Sequence, residues 1–213
     1  KVQLNVTGLA YVWSGANNAN WDTTTANNWL LNGSPAAFAN GSAALFDDTA
    51  SGPTDVTLNS AVSPASVAVN SSAKTYSITS SGANVIGGAS TLTKAGSSTL
   101  TLIGGVNSYS GATTIGGGTL SVAVLGNGGA ASDIGAAGSS AANLMFDSGT
   151  LQYTGGAASS DRLFTVGTGG GTIDASGSGA LTLNNSGSIG LSGPGARGLT
   201  LTGTSVDDNT LAA

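Results

Sequence analysis

The sequence of 213 residues predicts an all-β fold, a parallel β-solenoid (β-helix), from three observations. Charged helix formers are nearly missing, apolar and polar residues alternate in short runs from end to end, and a Gly-Thr-Leu strand pattern recurs at a loose period. A β-sandwich is the competing architecture, because short strands bounded by turn residues suit it too.

The first observation is compositional. Only 7% of the residues are charged, against roughly 25% in an average soluble domain. All ten acidic residues are Asp and the basic residues number five, so the side chains that furnish exposed helix surface are almost gone. The 35 Gly are compatible with a disordered chain, but 39% hydrophobic residues and so little charge are not the disorder signature.

Composition also excludes much chemistry. The chain has no Cys and no His, which removes disulfides, thiol nucleophiles, imidazole bases and Cys/His metal sites. Net charge is −5, and Lys1, Lys74, Lys94, Arg162 and Arg197 are scattered, so nucleic acid and anionic membrane surfaces are poor partners. No apolar run approaches the ~20 residues of a membrane-spanning helix. Membrane insertion by this segment is therefore not expected, and a chain that begins at Lys1 reads as a processed or truncated piece.

The second observation is alternation. Residues 1–12 read as an N-terminal strand in which Val2, Leu4 and Val6 alternate with polar neighbours, a segment suited to adding onto a neighbour's sheet. Residues 13–85 form a Trp- and Asn-rich first part of the solenoid. Trp13, Trp21 and Trp29 are evenly spaced there, and two roles compete: a hydrophobic cap on the open end of the core, which is favoured, or a glycan-stacking platform. Residues 86–213 hold the clearer coils, with Leu100-Thr101-Leu102, Leu181-Thr182-Leu183 and Leu199-Thr200-Leu201 as typical strands. The small-residue stretch from Gly126 to Ala142 reads as a protruding loop or a wide corner.

The third observation is the repeat. Apolar centres fall at Leu100, Leu120, Leu151, Ile173 and Leu199, at uneven intervals, as expected when each coil is one unit with variable corners. Stacked coils bury a continuous apolar column that no single short strand could bury alone.

The stretch from Leu92-Thr93-Lys94-Ala95-Gly96 through Leu100-Thr101-Leu102, Asn107-Ser108-Tyr109-Ser110-Gly111 and Gly118-Thr119-Leu120-Ser121-Val122 resembles the autotransporter-associated β-strand repeat. Ser98 and Ala112 stand where that pattern usually has Gly. The opening, Trp13-Ser14-Gly15 to Phe46-Asp47, is similar to segments that begin repeat units in large bacterial surface proteins. The resemblance implies a right-handed β-helix, a passenger domain at the bacterial cell surface or beyond, with a structural or adhesive role.

Candidate sites are few. Asp47-Asp48 and Asp207-Asp208-Asn209 offer oxygen ligands for Ca²⁺, but neither follows an ordered Ca²⁺ loop, and turn-capping Asp is the favoured role. Asp residues meeting across coils would suit glycoside hydrolysis, yet none lies in a recurrent motif with Arg, Lys or Tyr, so no enzyme, cofactor or metal is expected. The Thr-x-Thr pairs Thr99/Thr101 and Thr200/Thr202 suggest a hydroxyl ladder of the ice-binding kind, against which the uneven coil lengths argue. The sequons at Asn5, Asn32, Asn40, Asn70 and Asn184 are what so Asn- and Thr-rich a chain produces by chance. The function expected is a secreted or surface structural and adhesive element that self-associates, in the limit as a filament, with surface glycans as a second kind of partner. The alternative is a polysaccharide-binding or polysaccharide-degrading β-helix protein.

Overall fold

A computed structural model describes residues 10–25 and 27–213. Val2, Leu4 and Val6 lie outside the described residues. The first strands are β1 (Tyr11–Trp13), β2 (Asn20–Trp21), β3 (Trp29–Leu31), β4 (Ser34–Ala36), β5 (Ala43–Asp47) and β6 (Asp55–Leu58). The middle of the chain supplies β7 (Ser66–Asn70), β8 (Tyr76–Thr79), β9 (Thr91–Ala95), β10 (Thr99–Ile103), β11 (Thr113–Ile115) and β12 (Thr119–Val122). Then come β13 (Leu144–Phe146), β14 (Thr150–Tyr153), β15 (Ala158–Ser160), β16 (Thr165–Val166) and β17 (Gly171–Ala175). The last are β18 (Leu181–Leu183), β19 (Gly190–Leu191), β20 (Leu199–Thr202) and β21 (Thr210–Leu211). A single 3-10 turn at Ala141–Asn143 is the one helical piece among the described residues.

These strands stack as a β-solenoid. One face is the parallel series β1-β5-β7-β9-β11-β13-β16-β19, seven steps from end to end, and a second is the parallel series β2-β6-β8-β10-β12-β14-β17-β20. A third face, β15-β18-β21, forms in the later coils; earlier, among the described residues, isolated bridges join Val62 to Ile86 and Asn107 to Ser132. The sandwich alternative calls for antiparallel pairing, and only the hairpin β3–β4, laid against β1, pairs that way among the named strands.

Strict alternation decides which side chains form the core. β7 reads in-out as Val67 and Val69 buried with Ser66, Ala68 and Asn70 outward, and β10 buries Leu100 and Leu102 between Thr99, Thr101 and Ile103. Stacking is in register, so each inward residue sits over its counterpart: Tyr76, Leu100, Leu120, Leu151, Ile173 and Leu201 form one column. The last member corrects the sequence expectation. Leu199 pairs with Gly171, and it is Leu201 that lies over Ile173, so the final coil is longer than the apolar spacing in the sequence suggests.

Uneven coil lengths do not disturb this register, because the extra residues are all taken up in corners. Thr99, Thr119, Thr150, Thr172 and Thr200 stand in one outward column despite their unequal separations along the chain. The expectation that irregular gaps would break a threonine array is therefore overturned. Beside it runs a second column in register, Ser77, Thr101, Ser121, Gln152, Asp174 and Thr202, in which Ser121 is buried and Gln152 donates to the Asp174 carboxylate at 2.9 Å.

The two ends differ. At the first coil, Trp13, Trp21 and Trp29 are each 0% exposed and pack with Phe38 and Phe46, ring centroids 4.9–5.7 Å apart and mostly edge to face. At the last coil the inward Leu201 is 58% exposed. Burying Leu120 removes a full leucine from water, whereas Thr119 beside it faces out. Leu120→Ala should cost about 3 kcal/mol and lower the urea midpoint accordingly, while Thr119→Ala should stay within about 0.5 kcal/mol. Equal effects at the two positions would contradict the alternation.

Candidate functional site

The most sequence-specific part of the chain, residues 92–122, is one coil and the start of the next, and its polar residues are turned inward at the corners. In β9 the alternation that buries Leu92 also buries Lys94, which is 0% exposed. Its ammonium donates to three backbone carbonyls: Ala95 O at 2.7 Å, Gly96 O at 3.0 Å and Gly117 O at 3.3 Å. The first two belong to its own corner and the third to the corner of the next coil. Burial pulls the Lys94 amine down from its ordinary 10.5 to about 8.

The glycines of the pattern make room for this arrangement. Gly96 has φ of +70°, and a Cβ there would stand 2.3 Å from Ser71 O of the coil before. Gly118 has φ of +59°, and its Cβ would lie 2.3 Å from Ser98 O and 2.8 Å from the Lys94 nitrogen.

The Asn-x-Tyr-x-Gly turn is held in the same manner. Asn107, 0% exposed, accepts from the Ile86 N–H of the preceding coil at 3.0 Å and donates to Asp133 O of the following one at 3.2 Å. Tyr109 buries its ring and shares a hydrogen bond with Thr113 Oγ1 at 3.0 Å, and burial raises its pKa. These repeat residues contact the coils above and below. The motif is a stacking instruction.

Two further buried charges carry no pattern in the sequence. Asp133 lies in the stretch read as a loop or wide corner, and its carboxylate accepts from Gly105 N–H at 2.7 Å, Ala123 N–H at 2.9 Å and Val124 N–H at 2.8 Å. Burial pushes its pKa upward against the pull of those three donors. Arg162 is 3% exposed and donates to the carbonyls of Gly126, Ala137 and Gly135 at 2.8–2.9 Å, with longer bonds to Asn127 and Ala130. The stretch folds around this guanidinium and buries Leu125, Ile134 and Ala137. Residues 126–138 thus form a wide corner pinned from within. A lone Arg farther along the chain is the only signal of it in the sequence.

The residues singled out from sequence take these places. Trp13, Trp21 and Trp29 are buried in the first coil, where the hairpin β3–β4 lies against β1. Trp13 Nε1 donates to Pro53 O at 2.9 Å, whereas the buried indole N–H groups of Trp21 and Trp29 have no hydrogen-bond acceptor. Asp47 caps its own turn at Thr49, with the backbone N–H at 2.8 Å and the hydroxyl at 2.6 Å. Asp48 reaches into the next coil, accepting from the Ser71 hydroxyl and from Ser72, Ala73 and Lys74 N–H groups at 3.0–3.2 Å, which hold its pKa well below the usual carboxylate range. Asp207 and Asp208 are exposed, and Asn209 accepts from Leu181 N–H at 2.8 Å. Among the described residues no three acidic side chains gather as a metal site.

The coil built around Lys94 and Asn107 is also the part of the chain that known proteins share. The sequence profile described as passenger-associated-transport-repeat matches residues 92–122. Residues 92–122 carry a passenger repeat. A stretch of 80 residues, 38% of this chain, is 51% identical to the "Adhesin BmaC autotransporter" of Brucella suis biovar 1 (strain 1330). That stretch covers 2% of the relative's length. No solved structure matches the chain. The passenger repeat places this segment on the cell surface or outside the cell.

The chemistry available in the passenger repeat is stabilisation of corners. Lys94→Met should leave three carbonyls without their donor and cost about 3 kcal/mol in urea unfolding. The lysine also makes stability depend on pH. Between about 8 in the folded chain and 10.5 in the unfolded one, the unfolded state binds more protons at this site, so its contribution makes stability rise with pH across that window. The difference in unfolding free energy between wild type and Lys94→Met, followed from pH 7.5 to 10.5, should therefore shift steadily in favour of wild type; a constant difference would contradict the burial of the amine. Arg162→Met should raise amide exchange by at least about tenfold across residues 126–138, read by hydrogen-exchange mass spectrometry, with less effect on β7–β10.

Proposed function

We propose that this chain is a stiff adhesive stretch of a bacterial surface passenger, acting as a rod that presents its outer faces and not as an enzyme. The single observation that carries the adhesive role is the 51% identity over 80 residues to a protein named as an autotransporter adhesin. The architecture supports it. Parallel coils pinned at their corners by Lys94, Asn107 and Arg162 make a rigid body, as a display scaffold requires. The Asp carboxylates serve turns: Asp22 caps Thr24 and Thr25, Asp48 the 71–74 turn, and Asp133 three backbone N–H groups. Carboxylates committed to backbone donors are poorly placed to handle substrate protons.

The partner class we propose is neutral surface glycan. The second sheet offers it a face of outward hydroxyls, Thr99, Thr101, Thr119, Thr150 and Thr172, in register and with little charge. Self-association, up to a filament, is the finer form of the same reading. Beads coated with the chain should be retained on neutral-glycan surfaces several-fold above uncoated beads, and Thr119→Tyr/Thr150→Tyr should reduce retention while leaving the unfolding midpoint within about 0.5 kcal/mol. Retention equal to the uncoated control, or release of reducing sugar from the same glycans, would overturn it.

A further inference from the structure

Asn-Gly is the dipeptide in which a protein chain most readily modifies itself, because the asparagine amide carbon and the next backbone nitrogen can close a five-membered ring and glycine has no Cβ in the way. The chain has three such pairs at issue, Asn32-Gly33, Asn40-Gly41 and Asn127-Gly128. Ring closure needs the glycine N–H free to lose its proton and the asparagine side chain free to turn towards it, so the hydrogen bonds at each pair decide its fate. At Asn40 both partners are held by the next coil: Gly41 N–H donates to Ser63 O and Asn40 Oδ1 accepts from Ser63 N–H, each at 2.8 Å. At Asn127 both are held by Asp161: Gly128 N–H donates to its carboxylate at 2.7 Å and Asn127 Oδ1 accepts from its backbone N–H at 3.0 Å.

Asn32 differs on every count. Asn32 and Gly33 are the two-residue turn between β3 and β4, with φ of +53° and +77°, the pair of left-handed residues that a tight hairpin demands. Both are exposed, and a Cβ at Gly33 would have nothing within 4 Å. Neither the Asn32 side chain nor the Gly33 N–H makes a hydrogen bond among the described residues. The turn type thus selects the reactive dipeptide, and the projecting tip leaves its reacting atoms unengaged.

We infer that Asn32 is a self-modification site, converted by the Gly33 nitrogen into an acidic residue that alters the hairpin. Gly33 N loses its proton and bonds to Asn32 Cγ; the Cγ–Nδ2 bond breaks, and the side-chain amide leaves as ammonia with that proton, so that a cyclic imide remains. Water then opens the imide. Breaking the bond between Gly33 N and Cγ leaves aspartate on the original backbone, whereas breaking the bond between that nitrogen and the Asn32 main-chain carbonyl carbon leaves isoaspartate, whose backbone runs through Cγ and is longer by one atom. Either product adds one negative charge to a chain of net charge −5. Aspartate tolerates the left-handed backbone and keeps the turn. Isoaspartate lengthens the turn that sets the register of Leu31 with Ser34, Leu30 with Pro35 and Trp29 with Ala36, and Trp29 is 0% exposed against Trp13, Trp21 and Phe38. Chemistry at an exposed tip is thereby coupled to a buried aromatic cluster.

The test incubates the whole folded chain at mildly alkaline pH and follows each Asn-Gly peptide by mass spectrometry, with fragmentation that separates isoaspartate from aspartate. Asn32 should deamidate at least about tenfold faster than Asn40 and Asn127, the difference that a hydrogen-bonded N–H makes, and in denaturant the three rates should converge. Asp161→Ala, which frees Gly128 N–H, should speed Asn127 several-fold and leave Asn32 unchanged. The isoaspartyl fraction, isolated by chromatography, should show faster amide exchange over residues 29–36 than the unmodified chain, whereas Asn32→Asp should not. Equal rates at the three pairs in the folded chain, Asn40 or Asn127 ahead of Asn32, an Asn127 rate indifferent to Asp161→Ala, or isoaspartate without effect on residues 29–36 would each overturn the inference.

Discussion

In-register stacking of one coil on the next is the constraint on which the rest of this structure depends. Parallel strands one step apart bring each inward side chain directly over its counterpart, and so Leu100, Leu120, Leu151 and Ile173 form a column although unequal lengths of chain separate them. Because one slip would move every apolar residue to the solvent face, register tolerates no compromise. Length variation is pushed into corners, and the corners are where the unusual residues collect.

Those corners explain why a chain so poor in charge buries several of the charges it has. A solenoid corner turns the backbone away from its ladder and leaves carbonyls or N–H groups without strand partners. Cations answer the carbonyls: Lys94 serves the corners of two successive coils, and Arg162 serves the whole of the wide corner at 126–138. Anions answer the N–H groups: Asp133 collects three from Gly105, Ala123 and Val124, and Asp48 three from residues 72–74. The side-chain hydrogen bonds of Lys94, Arg162 and Asp133 run to the backbone. Removing one such side chain would strand several backbone groups at once, a loss more serious than that of a surface ion pair.

Much of this is legible in the sequence, and the part that is not has a physical reason. Alternation identifies β10, β12, β14 and β18, because a strand buried on one face must alternate. The Lys, Asn, Tyr and Gly of residues 92–122 are legible as a pattern, but their tasks are not, since their bonding partners include backbone atoms of neighbouring coils. Asp133 and Arg162 are invisible for the same reason: backbone partners leave no residue-type signature. The threonine columns escape a reading by spacing because coil length does not measure coil geometry, the corners absorbing all the difference. Leu199 and Leu201 alternate equally well in the sequence; only the pairing of Leu201 with Ile173 separates them.

A pair of spin labels tests the in-register solenoid most directly. Ser77 and Thr202 stand in one in-register column five steps apart, through Thr101, Ser121, Gln152 and Asp174, although more than half of the chain lies between them. The chain has no cysteine, so Ser77→Cys/Thr202→Cys gives two unique labelling sites. Double electron–electron resonance should show one narrow distance distribution centred near about 24 Å, five strand spacings. A broad distribution, or a centre displaced from it by more than one strand spacing, would contradict the stacking from which the core and the corners both follow.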